Sequence, residues 1–218
     1  MLYLIATPIG DPNEISIKAL DIIKKSDVII CESTKEASQL LKFHGINGKR
    51  YEVLDEHSKP EDLKELLDLC KNQNVALVSD CGTPGFCDPG ADLVKLCSQN
   101  SILVKSILGP SSLMGIISQS GIRLDQFYFR GFLPAENQAR EQSLKELKKI
   151  NVPIIIMDTP YRLQKTLNEM EKHFADRQLV LALNLSSDNE QILRGRISDF
   201  RKNSIPEKAE FMLLIQSK

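Results

Sequence analysis

Apolar residues fall along the chain in two alternating patterns. Short continuous runs at residues 2–6, 28–31, 51–54, 75–79 and 102–104 have the length and composition of buried strands. Between them, apolar residues recur at helical spacing: Ile15, Ala19, Ile22 and Ile23; Ala37, Leu40 and Leu41; Leu63, Leu66, Leu67 and Cys70; Ala91, Val94 and Cys97; Leu113, Ile116 and Ile117. The residues at the segment ends agree with this division. Ser16 is placed to cap the first helix, Ser33-x-x-Glu36 reads as a capping box, Gly45 ends the second helix and Pro60 opens the third. Strand and helix alternate strictly, which predicts a largely parallel sheet with helical crossovers.

After Asp125 the pattern changes. Strands are predicted at 127–131 and 154–157. Helices are predicted at 140–150 and at 161–174, the latter opened by Thr159-Pro160. Three further strands, at 179–185, 191–197 and 210–215, follow one another with short links, which predicts a mixed, partly antiparallel sheet. The helix at 140–150 mixes Glu141 and Glu146 with its cations and reads as solvent-facing. The expected fold class is therefore α/β, in two α/β domains, 1–121 and 122–218, that share a cleft. No internal repeat or low-complexity tract interrupts them.

The densest chemistry lies where the fourth strand ends. There the chain reads Val78-Ser79-Asp80-Cys81-Gly82-Thr83-Pro84-Gly85-Phe86-Cys87-Asp88-Pro89-Gly90. Three glycines and two prolines within residues 82–90 let backbone approach a ligand closely and limit the loop's freedom. Asp88 and Pro89 read as a helix cap followed by proline at the first helical position. Two more turns, Pro8-Ile9-Gly10 and Leu108-Gly109-Pro110-Ser111-Ser112, also follow strands. In a parallel sheet all three face one way, at the edge where open α/β sheets bind cofactors. Their amides, hydroxyls and small side chains suit a polar cofactor with an adenosine end. No Gly-Lys-Ser/Thr and no GxGxxG accompanies them, so neither a P-loop kinase nor a dinucleotide oxidoreductase is supported.

Composition narrows the field further. The net charge is −1, so any nucleic-acid surface must be a local patch. Five cysteines without a CxxC pair and only three histidines give no metal site, and reduced thiols fit a cytoplasmic protein. Residues 1–9 form a strand rather than a signal peptide, since Pro8 and Gly10 cut the run and no basic segment precedes it. Nothing approaches a membrane span.

Taken in order, Thr7-Pro8-Ile9-Gly10, the run from Val78 to Gly90, Gly109-Pro110-Ser111, Ser120-Gly121 and Gly131-Phe132-Leu133-Pro134 resemble the tetrapyrrole methylase superfamily over nearly the whole chain. Within it, the Ser-Asp-x-Gly-Thr-Pro-Gly-x-x-Asp-Pro-Gly run resembles the branch that 2′-O-methylates a cytidine in bacterial small-subunit ribosomal RNA. The resemblance implies two α/β domains, S-adenosylmethionine held in the cleft and a homodimer. It implies cofactor contacts at Pro8, Ile9 and Gly10, at Asp80, Gly82, Thr83, Pro84, Gly85 and Phe86, and at Ser111 and Ser112. From the second domain it implies Asp158, Asn184 and Glu210.

The substrate side departs from the branch. Glu-Asp-Thr-Arg becomes Glu32-Ser33-Thr34-Lys35, Glu-Ser-x-His-Arg becomes Asp158-Thr159-Pro160-Tyr161-Arg162, and Arg-Glu-Leu-Thr-Lys becomes Leu183-Asn184-Leu185-Ser186-Ser187. Fuller members also carry a helical extension after the last strand, which this sequence, ending at Lys218, lacks. A sugar hydroxyl needs help in losing its proton. Glu32 is the surviving base candidate and Lys35 the cation; the other reading of Glu32 is a surface acid beside a helix cap. Arg162 reads as a phosphate contact or as a prop for the helix start. Arg194 and Arg196, with Arg201 and Lys202, read as a solvated face or an RNA backbone contact. Two alternatives stay open beside ribosomal RNA methylation: a tetrapyrrole-like or other small acceptor, and a homologue that binds cofactor or partner without turnover.

Overall fold

The computed structural model describes residues 1–87, 89–200 and 203–218. The chain forms two compact units, residues 1–111 and 112–218. The seam falls ten residues before the one expected at 121/122. The intervening helix buries Ile116 completely and packs on the last strand of the second unit, so it belongs there.

The first unit runs β1 (Leu2–Ile5), a 3-10 turn (Pro12–Glu14), α1 (Ile17–Lys25), β2 (Val28–Cys31), α2 (Thr34–Phe43), β3 (Arg50–Val53), α3 (Pro60–Asn72), β4 (Val75–Val78), α4 (Ala91–Gln99) and β5 (Val104–Ile107). Its strands lie in the order β3-β2-β4-β1-β5, all parallel. Both faces are covered, which is why the inner strands read as unbroken apolar runs. Ile29, Cys31, Ala76 and Val78 pack on the side of α1 and α2; Val28, Ile30, Val75 and Leu77 pack on the side of α3 and α4. Strand β5 lies slightly downstream of the predicted run. It pairs through its backbone with β1, Leu2 opposite Val104 and Ile5 opposite Ile107, so Lys105 and Ser106 are tolerated in it. Ser16 caps α1, accepting from the Ala19 N–H at 3.1 Å. Helix α4 starts at Ala91 with Gly90 as its cap residue, two positions beyond the start expected at Pro89. The cap expected at Asp88 lies outside the described residues.

The second unit runs α5 (Ser112–Gln119), β6 (Tyr128–Phe132), α6 (Asn137–Leu147), β7 (Ile154–Asp158), a 3-10 turn (Pro160–Arg162), α7 (Leu163–Phe174), β8 (Leu179–Leu183), β9 (Gln191–Gly195), α8 (Ile197–Phe200) and β10 (Phe211–Ile215). The sheet order is β6-β7-β10-β8-β9; β6 and β7 are parallel and every other pair antiparallel. The expected mixed sheet is present, with β10 inserted between β7 and β8. Every side chain of β8 and β10 is buried.

Helix α6 does not face solvent along its length, contrary to the sequence reading. Arg140 is 1% exposed and lies on the helix's inner stripe with Ser143, Leu144 and Leu147. Its guanidinium holds Asp158 at 2.6 Å, both carboxylate oxygens of Glu169 at 2.8 and 2.9 Å, and the Thr166 hydroxyl at 2.8 Å. A buried cation persists only when it is paired in this way.

Candidate functional site

The parallel order of the first sheet brings the carboxyl ends of β2, β4, β1 and β5 to one edge. The turn after β1 and the loop after β4 are laced together there. The Thr7 N–H donates to the Gly82 carbonyl at 2.8 Å, and the Gly82 N–H returns a bond to the Thr7 carbonyl at 3.1 Å. The buried Thr7 hydroxyl donates to the Ser79 carbonyl at 3.1 Å. The Ser79 hydroxyl turns back on the carbonyls of Cys81 and Gly82, both at 3.2 Å. The first part of the loop, residues 79–82, is therefore fixed in shape by these bonds.

The glycines in these turns have different tasks. A Cβ at Gly90 would lie 3.2 Å from the Gly85 backbone nitrogen, and one at Gly109 would lie 3.0 Å from the Ala6 Cβ, so both allow close chain approach. Gly85 has φ +80°, and a Cβ there would meet no atom of the described residues within 4 Å. It borders open space in a conformation that disfavours other residues. Gly82 and Pro84 are buried and shape the loop, while Thr83, Gly85 and Phe86 are exposed. Pro8, Ile9, Ser111 and Ser112 are half-buried and Gly10 is exposed.

Asp80 has a role that the sequence did not disclose. Ser33 caps α2 by accepting from the Glu36 N–H at 3.3 Å, but Glu36 does not complete the expected capping box. The Ser33 N–H donates instead to the Asp80 carboxylate at 3.1 Å, tying the loop after β4 to the start of α2. Burial raises the Asp80 pKa; the Ser33 bond lowers it, and the charge of Glu36 adds to the rise. The proposed base Glu32 is half-buried immediately before this cap, and Lys35 is exposed in the first turn of α2, 3.8 Å from Glu36. Burial first, then the charge of Asp80, pushes the Cys31 thiol up to about 11.

In the second unit the antiparallel pairing brings Asp158, Asn184 and Glu210 to one end of the sheet. Asn184, at φ +47°, donates its N–H to the Glu210 carbonyl at 2.8 Å and accepts from the Glu210 N–H through its side chain at 3.2 Å. Burial raises the Glu210 pKa, and Lys208 opposes the rise. The Asp158 side chain is 0% exposed and committed to Arg140 and, at 3.1 Å, to Arg162, so it braces the strand end rather than presenting its carboxylate to a ligand. Arg162 is thereby held against the end of β7. Arg194 and Arg196 lie at or beyond the far end of β9, which pairs with the start of β8, away from Asn184. The Arg194 guanidinium also donates to the Gln119 carbonyl. These two arginines are thus separated from the strand ends that carry Asp158, Asn184 and Glu210. Arg201 and Lys202 lie outside the described residues.

The turns after β1, β4 and β5 fit a nucleoside cofactor without phosphates. Residues 7–10, 79–90 and 108–112 contain no lysine or arginine to meet a phosphate. They supply main-chain groups, the opening beside Gly85 and the exposed apolar Phe86 and Leu108. This donor set suits the adenosine and sulfonium of S-adenosylmethionine. Among the described residues no group of three or more His, Cys, Asp and Glu could hold a metal ion, and no helix is long and apolar enough to cross a membrane.

Comparison with known proteins makes this chain a methyltransferase that takes its methyl group from S-adenosylmethionine. The family profile described as Tetrapyrrole (Corrin/Porphyrin) Methylases matches residues 1–201, and the chain belongs to that family. Among curated relatives, proteins named Ribosomal RNA small subunit methyltransferase I are similar to nearly the whole chain. The one from Synechocystis sp. is 36% identical over 221 residues, covering 99% of this chain and 78% of the relative. The one from Neisseria meningitidis serogroup A is 34% identical over 200 residues, covering 92% and 69%. The solved structure of diphthine synthase superposes with a TM-score of 0.81 over 100% of this chain and 90% of that one, at 16% identity, and so shares the fold.

Proposed function

We propose that this protein transfers a methyl group from S-adenosylmethionine to the 2′-hydroxyl of a cytidine in small-subunit ribosomal RNA. The observation that carries the proposal is the 36% identity over 99% of the chain to a protein bearing that ribosomal RNA methyltransferase name. S-adenosylmethionine supplies an activated methyl when bound, so the protein's part is orientation and proton removal. In this reading the turn at Pro8, Ile9 and Gly10, the exposed loop residues Thr83, Gly85 and Phe86, and Ser111 and Ser112 hold the donor. Gly82 and Pro84 keep that loop in shape. Glu32 accepts the hydroxyl proton and Lys35 steadies the developing charge. Asp80 holds Glu32 in place through the adjacent Ser33 cap.

The reading extends to a homodimer acting in the cytoplasm. The test is methyl transfer to small ribosomal subunits from a strain lacking the gene, followed by mass spectrometry of ribonuclease fragments. One added methyl on a cytidine ribose is expected. Transfer to a small-molecule acceptor with none to RNA would favour the tetrapyrrole-like alternative. No transfer despite bound donor would favour a binding homologue. Sedimentation equilibrium checks the dimer.

A further inference from the structure

At the end of the second sheet where β7 and β8 finish, the unit gathers side chains that the donor reading leaves unused. Tyr161 follows Asp158, the last residue of β7, within the 3-10 turn, and Lys208 precedes Phe211, the residue of β10 that pairs with Asp158. The Lys208 Nζ stands 3.8 Å from the Tyr161 ring centroid. Tyr161 is 78% exposed, so its ring fills no core; one face carries the ammonium and most of the side chain meets solvent. The lysine segment is held beside the turn by the Gln164 amide, which donates to the Pro206 carbonyl at 2.8 Å. Arg162 is anchored through one guanidinium nitrogen to Asp158 at 3.1 Å, and its other nitrogens reach no described residue. Phe132, at the end of β6 and on the same edge, is also exposed.

An open aromatic ring flanked by cations is the combination that binds unpaired nucleotides. Every base has a face to stack, and the neighbouring cations meet the backbone. A paired helix would offer no such face. Glu207 and Glu210 flank Lys208, so this is not a broad phosphate-neutralising stripe; the ring is the anchor. The geometry points to a single-stranded RNA platform in which Tyr161 stacks one base while Lys208 and Arg162 meet the adjoining phosphates. This rests on the RNA reading above and gives it a recognition surface. It also moves the expected RNA contact away from Arg194 and Arg196.

The test uses the full chain and a fluorescein-labelled single-stranded RNA of about twelve nucleotides, within the range of single-strand site sizes. Fluorescence anisotropy is read for the wild type, Tyr161→Phe, Tyr161→Ala and Lys208→Gln. Tyr161→Ala is expected to weaken binding about tenfold, the order for one base on one ring, while Tyr161→Phe stays within about twofold. With two phosphates contacted, the slope of log affinity against log salt is expected near −1.4, becoming shallower to about −0.7 in Lys208→Gln. The chain has no tryptophan and four tyrosines, so stacking is expected to quench intrinsic tyrosine emission, and Tyr161→Phe to reduce that quench. Unchanged circular dichroism and donor affinity establish that the variants fold. If the wild type binds RNA and Tyr161→Ala binds equally well, the platform is wrong and the RNA reading survives. If the wild type neither binds the oligonucleotide nor methylates small subunits, the RNA reading fails and the platform with it.

Discussion

Replacing Arg140 by methionine tests the buried charge cluster of the second unit. The substitution keeps the length and apolar stem of the side chain, so little packing volume is lost. What goes is the 2.6 Å contact with Asp158, the two bonds to Glu169 and the bond to Thr166. Asp158 stays fully buried with Arg162 at 3.1 Å, the Thr159 N–H at 2.9 Å and the Thr166 hydroxyl at 3.4 Å as its remaining partners. Removing one partner of a buried pair costs about 3–5 kcal/mol, and the surviving Arg162 contact places this case near about 3 kcal/mol. A unit of about 100 residues has a total stability of about 5–15 kcal/mol. With a urea slope of about 1.5 kcal/mol per molar, the midpoint of the second unit is expected to fall by about 2 M. Urea unfolding by circular dichroism measures the shift, and hydrogen exchange on peptides from each unit assigns it. Replacing Asp158 by asparagine in the same chain removes the stranded charge and is expected to recover part of the loss, giving a measurable coupling. A midpoint within about 0.5 M of wild type, or lost protection confined to residues 1–111, would refute the reasoning.

Four further outcomes are expected. Gly85→Val places a branched side chain where φ is +80° and no described residue lies within 4 Å of the new Cβ; a backbone cost of about 1–2 kcal/mol and a loss of donor affinity of at least about tenfold are expected, and unchanged calorimetric affinity would remove Gly85 from the site. Glu32→Gln is expected to lower the transfer rate by about 10²-fold or more without weakening donor binding, and an unaltered rate would discard Glu32 as the base. Asp80 has a raised native pKa, so its ionised form costs stability that is recovered as pH falls through that pKa; Asp80→Asn, still able to accept from Ser33, should melt higher than wild type at neutral pH, and a gap that widens in acid would contradict this sign. At about pH 8, near the ordinary cysteine pKa, iodoacetamide is expected to label the exposed Cys81 and Cys87 in the native protein and to spare Cys31 and Cys70, whose thiols burial pushes up to about 11 and about 12; mass spectrometry of labelled peptides decides it.

The first unit was largely legible because a parallel sheet covered on both faces writes its strands as apolar runs and its helices as stripes. The turns after β1, β4 and β5 were legible for the same reason, since glycine and proline mark where the backbone must bend or come close. Less local features escaped. The order β7-β10-β8 depends on pairing between strands far apart in sequence, which no periodicity records. Ser33 and Glu36 had the spacing of a reciprocal cap, but tertiary structure gave half of that task to Asp80, 47 residues away. Arg140 has charged neighbours, which point to a solvated helix face. Its position in step with Leu144 and Leu147, and an unpartnered aspartate ending an otherwise apolar β7, were the signals that joined them.

The placement of β10 also sets a timetable. All five strands of the first sheet have been made once residue 107 is synthesised, so that unit can close while the ribosome is still working. The second sheet cannot, because its middle strand is the last of its five to appear. Until residues 211–215 arrive, β7 and β8 each present a bare hydrogen-bonding edge, the condition that invites pairing with a foreign strand. A premature stop just upstream of Phe211 would therefore leave a sound first half tethered to an aggregation-prone remnant.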